Sequence, residues 1–197
     1  MQSISCEGCG QQTPPFDIVH FGPTDGKYRD ICGRCFNTHV ASLVGLDDFE
    51  HVRLDPISMI DISGTAHEFH FRTHLFGSGV TLDAFELADG VPSGYQFRVM
   101  GEPDDDLWQL MARLVEKMRR ALALQHIENT PLGVHVTDRN VVRGRVESSD
   151  AENDWDLNIP TVVIDGREVS WADFGRMLAA YEGWQFKLEM VDLSDEV

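Results

Sequence analysis

Four runs in the middle of the chain are rich in β-favouring residues and partly alternate between hydrophobic and polar positions, and a break containing Ser and Gly separates each run from the next. The runs are residues 57–63, 68–76, 80–87 and 95–100. Alternation with a period of two is typical of strands with one buried face. The pattern predicts an antiparallel meander with Phe69 and Phe71 on one face, and His70, Arg72 and His74 on the other.

A helical period follows the fourth run. Apolar residues recur at the three- and four-residue spacing of a helix face, at Leu107, Met111, Leu114, Met118 and Leu122. This spacing predicts a long helix from Asp104–Asp106 to about Ile127. The three aspartates favour capping at the positive end of the helix dipole over an Mg²⁺ site.

The sequence of the last third of the chain predicts two short strands, an acidic loop, a hairpin, a short helix and a final strand. The strands are residues 134–136 and 141–146, and the loop is residues 148–158. The hairpin turns at Asp165-Gly166, and the helix begins at Ser170. Two sets are expected to be buried, Trp171, Phe174, Leu178 and Tyr181 on the helix and Trp184, Phe186, Leu188 and Met190 on the strand.

The four cysteines stand in two pairs, Cys6-x2-Cys9 and Cys32-x2-Cys35. This spacing lets two tight turns direct four thiolates at one tetrahedral ion, and it predicts a structural Zn²⁺ site. Disulfides or free buried thiols are the alternative, and bridging cysteines three residues apart is strained. His20 or His39 in place of one cysteine is a further alternative.

Around these cysteines the chain resembles a known module. Cys6-Glu-Gly-Cys9-Gly10, Gly22-Pro23, Tyr28 and Ile31-Cys32-Gly-Arg-Cys35 look like the N-terminal zinc-binding domain of ClpX-type unfoldases, a treble-clef C4 module akin to zinc ribbons. The resemblance covers about residues 4–45. Because that domain dimerises and docks adaptors and substrates, the resemblance implies protein contact rather than catalysis.

Composition narrows the function classes. The 197-residue chain carries a net charge of −17, and residues 147–197 hold 13 acids against three bases. An acidic protein lacks the Lys and Arg excess that nucleic-acid binding needs, although patches at Arg139, Arg143 and Arg145, or at Arg113, Lys117, Arg119 and Arg120, leave that alternative open. No apolar stretch has the length of a membrane span. Residues 1–5 show no signal-peptide pattern, and we expect a soluble, reduced, cytoplasmic protein.

Three histidines lie close together at His67, His70 and His74, next to Glu68. They suggest an enzyme with a second metal or a general base as an alternative function. On one strand only His70 and His74 share a face, about 13 Å apart at ~3.3 Å per residue. We therefore expect solvated residues on a sheet face.

Taken together, the patterns predict an α+β protein with two domains. Residues 1–45 form a C4 zinc module, and residues 56–197 form a mostly antiparallel sheet with one long and one short helix, with a sub-boundary near 130–160. We expect an adaptor or regulator that binds a protein partner, with a homodimer through exposed strand edges as one form. Because so small a module draws its folding energy from metal, Cys32→Ser is expected to unfold residues 1–45 and leave most of the body folded.

Overall fold

The computed structural model describes residues 3–23, 26–46, 49–77, 79–131, 133–148 and 159–195. It confirms an α+β fold in which every paired strand is antiparallel. The predicted acidic loop at residues 148–158 lies almost wholly outside the described residues. No helix in the described part of the chain is long and apolar enough to cross a membrane.

The N-terminal part, residues 3–46, is called the C4 module below. Its elements are β1 (Ile4–Ser5), β2 (Gln12–Thr13), a 3₁₀ turn (Pro15–Asp17), β3 (Ile18–Phe21), β4 (Arg29–Cys32) and α1 (Gly33–Val44). β1 pairs with β2, and β3 pairs with β4. Helix α1, which the sequence patterns did not predict, ends where Gly45 adopts φ 74° and its N–H bonds the carbonyl of Ala41.

The central part is the predicted meander packed on the long helix. Strands β5 (Ile57–Ile60), β6 (Ala66–Phe76), β7 (Gly79–Ala88) and β8 (Val91–Gly101) lie in sequence order, followed by α2 (Leu107–Leu122). Asp106 caps α2 by accepting a hydrogen bond from the N–H of Trp108 at 2.8 Å. Asp106 therefore serves as the helix cap, while Asp105 accepts a hydrogen bond from the N–H of Glu102. The helix ends five residues earlier than predicted, because Ile127 starts a strand.

The C-terminal unit, residues 126–195, has its own small sheets. Its elements are β9 (Ile127–Thr130), β10 (Gly133–Val136), β11 (Arg145–Glu147), β12 (Thr161–Ile164), β13 (Arg167–Ser170) and α3 (Trp171–Ala179). The hairpin β12–β13 turns at Asp165 and Gly166, both at positive φ, as predicted. Ser170 caps α3 through a hydrogen bond from the N–H of Asp173 to its hydroxyl.

Three groups of buried side chains form the cores. The main core joins the sheet, α2 and α1, through Phe69, Leu75, Leu82, Ala84, Phe97, Val99, Leu110, Leu114, Met118, Leu122, Val40 and Ala41. A second core in the C-terminal unit contains Ile127, Val162, Ile164, Val169 and Met177. The third surrounds Cys6, Ile31 and Cys32. Because α1 belongs to the main core, the C4 module and the sheet share buried surface.

The two sets predicted to be buried in the C-terminal unit are largely exposed. On α3, Phe174 packs against the second core as predicted, whereas Trp171 and Leu178 are about half exposed and Met177, which was not predicted, is buried. Residues 184–190 form no strand. Trp184, Phe186, Leu188 and Met190, predicted to be buried, are 66–89% exposed because no strand of the described chain pairs with them.

Candidate metal centre

Four thiols converge in the C4 module. Cys6 and Cys9 come from the turn after β1, Cys32 ends β4, and Cys35 lies in the first turn of α1. Their sulfur atoms all lie within 4.8 Å of one another, and the Sγ atoms of Cys9 and Cys32 are 3.9 Å apart. A tetrahedral site with Zn–S bonds of ~2.3 Å requires sulfurs about 3.8 Å apart. The arrangement fits one ion with a complete thiolate shell.

Local backbone geometry explains how the first cysteine pair reaches the site. The N–H of Gly10 donates to the carbonyl of Cys6 at 2.8 Å, and Gly10 adopts a φ of 75°. The N–H groups of Gly8 and Cys32 donate to the Cys6 sulfur at 3.3 and 3.2 Å. A methyl group on Gly8 would lie 3.0 Å from the Cys35 sulfur. The glycines of this turn therefore allow the backbone to approach the sulfurs closely.

The protonation of the thiols also favours a cation. Burial opposes ionisation of Cys6, but backbone N–H donors from Cys32, Cys9 and Gly8 lower the pKa of its thiol to about 6. Burial and the neighbouring sulfurs raise the pKa of Cys35 well above its ordinary value. One thiolate is thus stabilised by the protein alone, and full ionisation of all four needs a positive ion between them. Four bound thiolates leave no position for water, so such an ion has a structural role.

Neither of the two histidines considered as alternative ligands belongs to the group of converging thiols. His20 is exposed and its Nδ1 pairs with a carboxylate oxygen of Asp30 at 2.5 Å. The His39 ring packs edge-on against Phe21. Among the described residues, no other group of three or more Cys, His, Asp or Glu side chains converges in this way.

The face of the meander that carries His70, Arg72 and His74 is covered by the C4 module, so the prediction of a solvated face is wrong. Phe16 packs on the His70 ring at 5.5 Å, and Phe36 packs on the His74 ring at the same distance. The guanidinium of Arg72 donates to the Phe16 carbonyl at 3.0 Å. Phe69 lies on the opposite face of the sheet from the three polar residues, as predicted. The polar face is therefore the boundary between the sheet and the C4 module.

His67 is held by two carboxylates. Its Nδ1 bonds Glu86 at 2.8 Å, and its Nε2 bonds Asp61 at 3.2 Å. A β-bulge between Phe85 and Glu86 re-aims the Glu86 side chain, whose other oxygen accepts the N–H of Tyr95. Burial opposes charge on His67, but the two carboxylates raise its pKa. With both ring nitrogens engaged, this imidazole has no free site for proton abstraction.

Two buried polar groups in the same boundary had weak sequence signals. Asn37 of α1 is fully buried; its amide donates to the Thr73 carbonyl at 2.8 Å and accepts the Leu75 N–H at 2.9 Å. It thereby replaces a strand partner, because β5 pairs with residues 66–69 of β6 and does not extend as far as Thr73. Asp83, an acid inside an apolar strand run, pairs with Arg72 and accepts hydrogen bonds from Nε and Nη2 of Arg98. The sequence patterns singled out neither residue, although an acid inside an apolar strand run is a signal that could have identified Asp83.

A cleft of about 590 Å³ lies where the C4 module meets the sheet. Arg34, Arg53 and Arg72 line it, and the buried Nε of Arg72 has no hydrogen-bond partner within the described ranges. Asp17 is also in the cleft, where burial raises its pKa despite the nearby Gly33 N–H and arginines. Since Glu50 and Asp55 also line it, the cleft is a polar concavity with three cationic and three acidic side chains.

Three residues of the basic patches considered for nucleic acid have partners within the chain. Arg145 bonds Glu147, and Arg119 bonds Glu116. The ammonium of Lys117 donates to the backbone carbonyls of Arg98, Leu193 and Asp195. Lys117 and Arg145 are therefore engaged in contacts within the chain, whereas the Arg119–Glu116 pair lies on the surface.

Comparison with known proteins divides the chain into three consecutive segments. Residues 5–47, 50–123 and 126–195 match three family models, each described as a domain of unknown function: DUF7685, DUF7686 and DUF7713. No curated protein and no solved structure matches the chain. The three segments coincide with the C4 module, the meander with α2, and the C-terminal unit, in that order.

Proposed function

We propose that this is a zinc-stabilised protein-interaction protein with an adaptor or regulatory role. Zn²⁺ on Cys6, Cys9, Cys32 and Cys35 holds the C4 module against the sheet. The exposed segment of residues 184–191, called the apolar strip below, is the surface that a protein partner covers. The strip carries the proposal, because four large apolar side chains in one short segment are exposed by 66–89%.

The metal centre supports this role through its closed shell. A thiolate-only site contributes folding energy and leaves no ligand position for substrate. His67, His70 and His74 are divided between two carboxylates, Phe16 and Phe36, so they do not combine into a general-base site. Both observations favour binding over catalysis.

The metal is tested by native mass spectrometry of protein purified without added metal. We expect one zinc per chain, released when the thiols are modified by an organomercurial. Absence of metal in protein whose thiols are still reduced would contradict the zinc assignment.

The binding role is tested with a photo-crosslinking amino acid at Gln185, within the apolar strip, in cells. A matched variant carries the same group at Arg139, an exposed residue outside the strip. We expect protein adducts from position 185 and few from position 139. Equal labelling at both positions, or no protein adduct at 185, would overturn the proposal.

A second function is favoured by the cleft, whose three arginines could hold a carboxylate or phosphate group. Inorganic phosphate would then raise the melting temperature, and Arg53→Gln would abolish the shift while Arg143→Gln, outside the cleft, would keep it. A shift of the same size in both variants would exclude the cleft as the site.

A further inference from the structure

The apolar strip has the side-chain pattern of a strand. Trp184, Phe186, Leu188 and Met190 alternate with Gln185, Lys187 and Glu189, so an extended backbone places all four apolar side chains on one face. Lys187 and Glu189 share the opposite face and contact each other at 2.7 Å. The pattern is that of a half-buried strand, and its apolar face is uncovered.

The backbone of the strip is also unpartnered. At its start, the N–H of Trp184 bonds the Tyr181 carbonyl, and the two rings pack 5.4 Å apart. Beyond its end, the carbonyls of Leu193 and Asp195 each accept a hydrogen bond from Lys117 at 2.7 Å. Between these anchors, residues 185–191 make no backbone hydrogen bond to any described residue. The segment is held at both ends and presents a free strand edge.

We propose that the apolar strip pairs with the same strip of a second copy of this chain, antiparallel and centred on Leu188. This inference rests on the proposed interaction role of the strip and names its partner. In this register Leu188 faces its own copy, Phe186 faces Met190, and Gln185 faces Val191. The two-fold axis at Leu188 makes the contact isologous, so it closes as a dimer.

Charge selects this register over its neighbours. Centring on Leu188 puts Lys187 opposite Glu189 twice, once on each side of the axis, whereas centring on residue 187 or 189 puts like charges opposite each other. A one-residue slip would place apolar side chains against polar ones. A parallel in-register pair also opposes like charges. The strip is locally neutral, although residues 147–197 hold 13 acids and three bases, so two copies can approach there with the least repulsion.

The test is sedimentation velocity of the full, zinc-loaded chain over a range of concentrations. We expect a monomer–dimer equilibrium that Lys187→Glu or Glu189→Lys alone weakens at least tenfold. The double variant with both changes restores the opposite-charge pairs and should regain affinity to within a few-fold. Arg139→Glu, which changes the net charge as Lys187→Glu does but lies outside the strip, should have little effect.

Two results would overturn the inference. One is a chain that stays monomeric at all concentrations, and the other is a dimer that neither single charge reversal weakens. In either case the photo-crosslink from Gln185 tests the proposed function separately. Adducts with a different protein would support the proposed function with another partner on the strip, and the absence of any adduct would contradict it.

Discussion

The C4 module and the C-terminal unit are both too small for a large core, and they differ in how they are stabilised. The C4 module gathers four thiols for a metal and also buries Val40, Ala41 and Asn37 of α1 against the sheet. The C-terminal unit has a core of five buried residues and leaves Trp184 and Phe186 in solvent. The first region is completed within the chain, whereas the second leaves an apolar segment uncovered, and we propose that a partner covers it.

Removing the metal should have the largest effect and would test whether the C4 module is completed within the chain. Because α1 shares the main core, Cys32→Ser should destabilise the sheet as well as the module, unlike the expectation from sequence alone. We expect a loss of more than about 5 kcal/mol from the free energy of unfolding. The measurement is thermal unfolding, with hydrogen exchange of β6 as the local readout. Unchanged protection of Leu75 would show that the two regions are independent.

A smaller loss is expected from Asn37→Ala, which leaves the Thr73 carbonyl and the Leu75 N–H buried without partners. Each costs about 1–3 kcal/mol, so we expect a loss of roughly 2–6 kcal/mol in urea unfolding. Ser42→Ala changes an exposed residue of the same helix and serves as the control. Equal stability of the two variants would mean that the amide does not join the module to the sheet.

The stability of the folded protein should also depend on pH through His74, on the sheet face that the C4 module covers. Burial, together with nearby Arg72, lowers the pKa of His74 from 6.5 to about 4. The folded state therefore keeps His74 neutral, and its stability is complete above pH 6.5 and falls towards pH 4, by no more than about 3 kcal/mol. His74→Asn should flatten the change in unfolding free energy between pH 7 and 5.

His67 serves as a control, because its expected effect of pH on stability is opposite to that of His74. Burial alone would lower its pKa, but bonds to Glu86 and Asp61 raise it, so its contribution is present below pH 6.5 and is lost as pH rises through the folded pKa. His67→Gln should therefore remove stability mainly at low pH. The same slope in His67→Gln and His74→Asn would contradict the two environments described.

The smallest effect on monomer stability is expected in the apolar strip. Phe186 is 89% exposed, so Phe186→Ser should change the free energy of unfolding of dilute monomer by less than about 0.5 kcal/mol. The same variant should weaken association strongly. A large loss of monomer stability would show that the strip packs within its own chain and would remove the difference between the two regions.

Much of the local structure could be predicted from sequence. Alternation predicted the four-stranded meander, the 3.6-residue period predicted α2, and Asp165-Gly166 predicted the hairpin turn. The cysteine spacing predicted the group of thiols. The division at residues 1–45 and 56–197 and the protein partner stay predictions, as does the zinc itself.

The sequence by itself determined what depends on neighbours within a few residues: strand alternation, helix period, turns, caps and the two cysteine pairs. Only the tertiary structure decided what meets across long separations. It placed the C4 module over His70 and His74, used Asn37 as a strand partner, and left the strip of Trp184 to Val191 unpaired. The physical reason is that the period of apolar residues in a sequence shows which face of a strand or helix must be buried. The surface that buries this face comes from a distant segment or from another molecule.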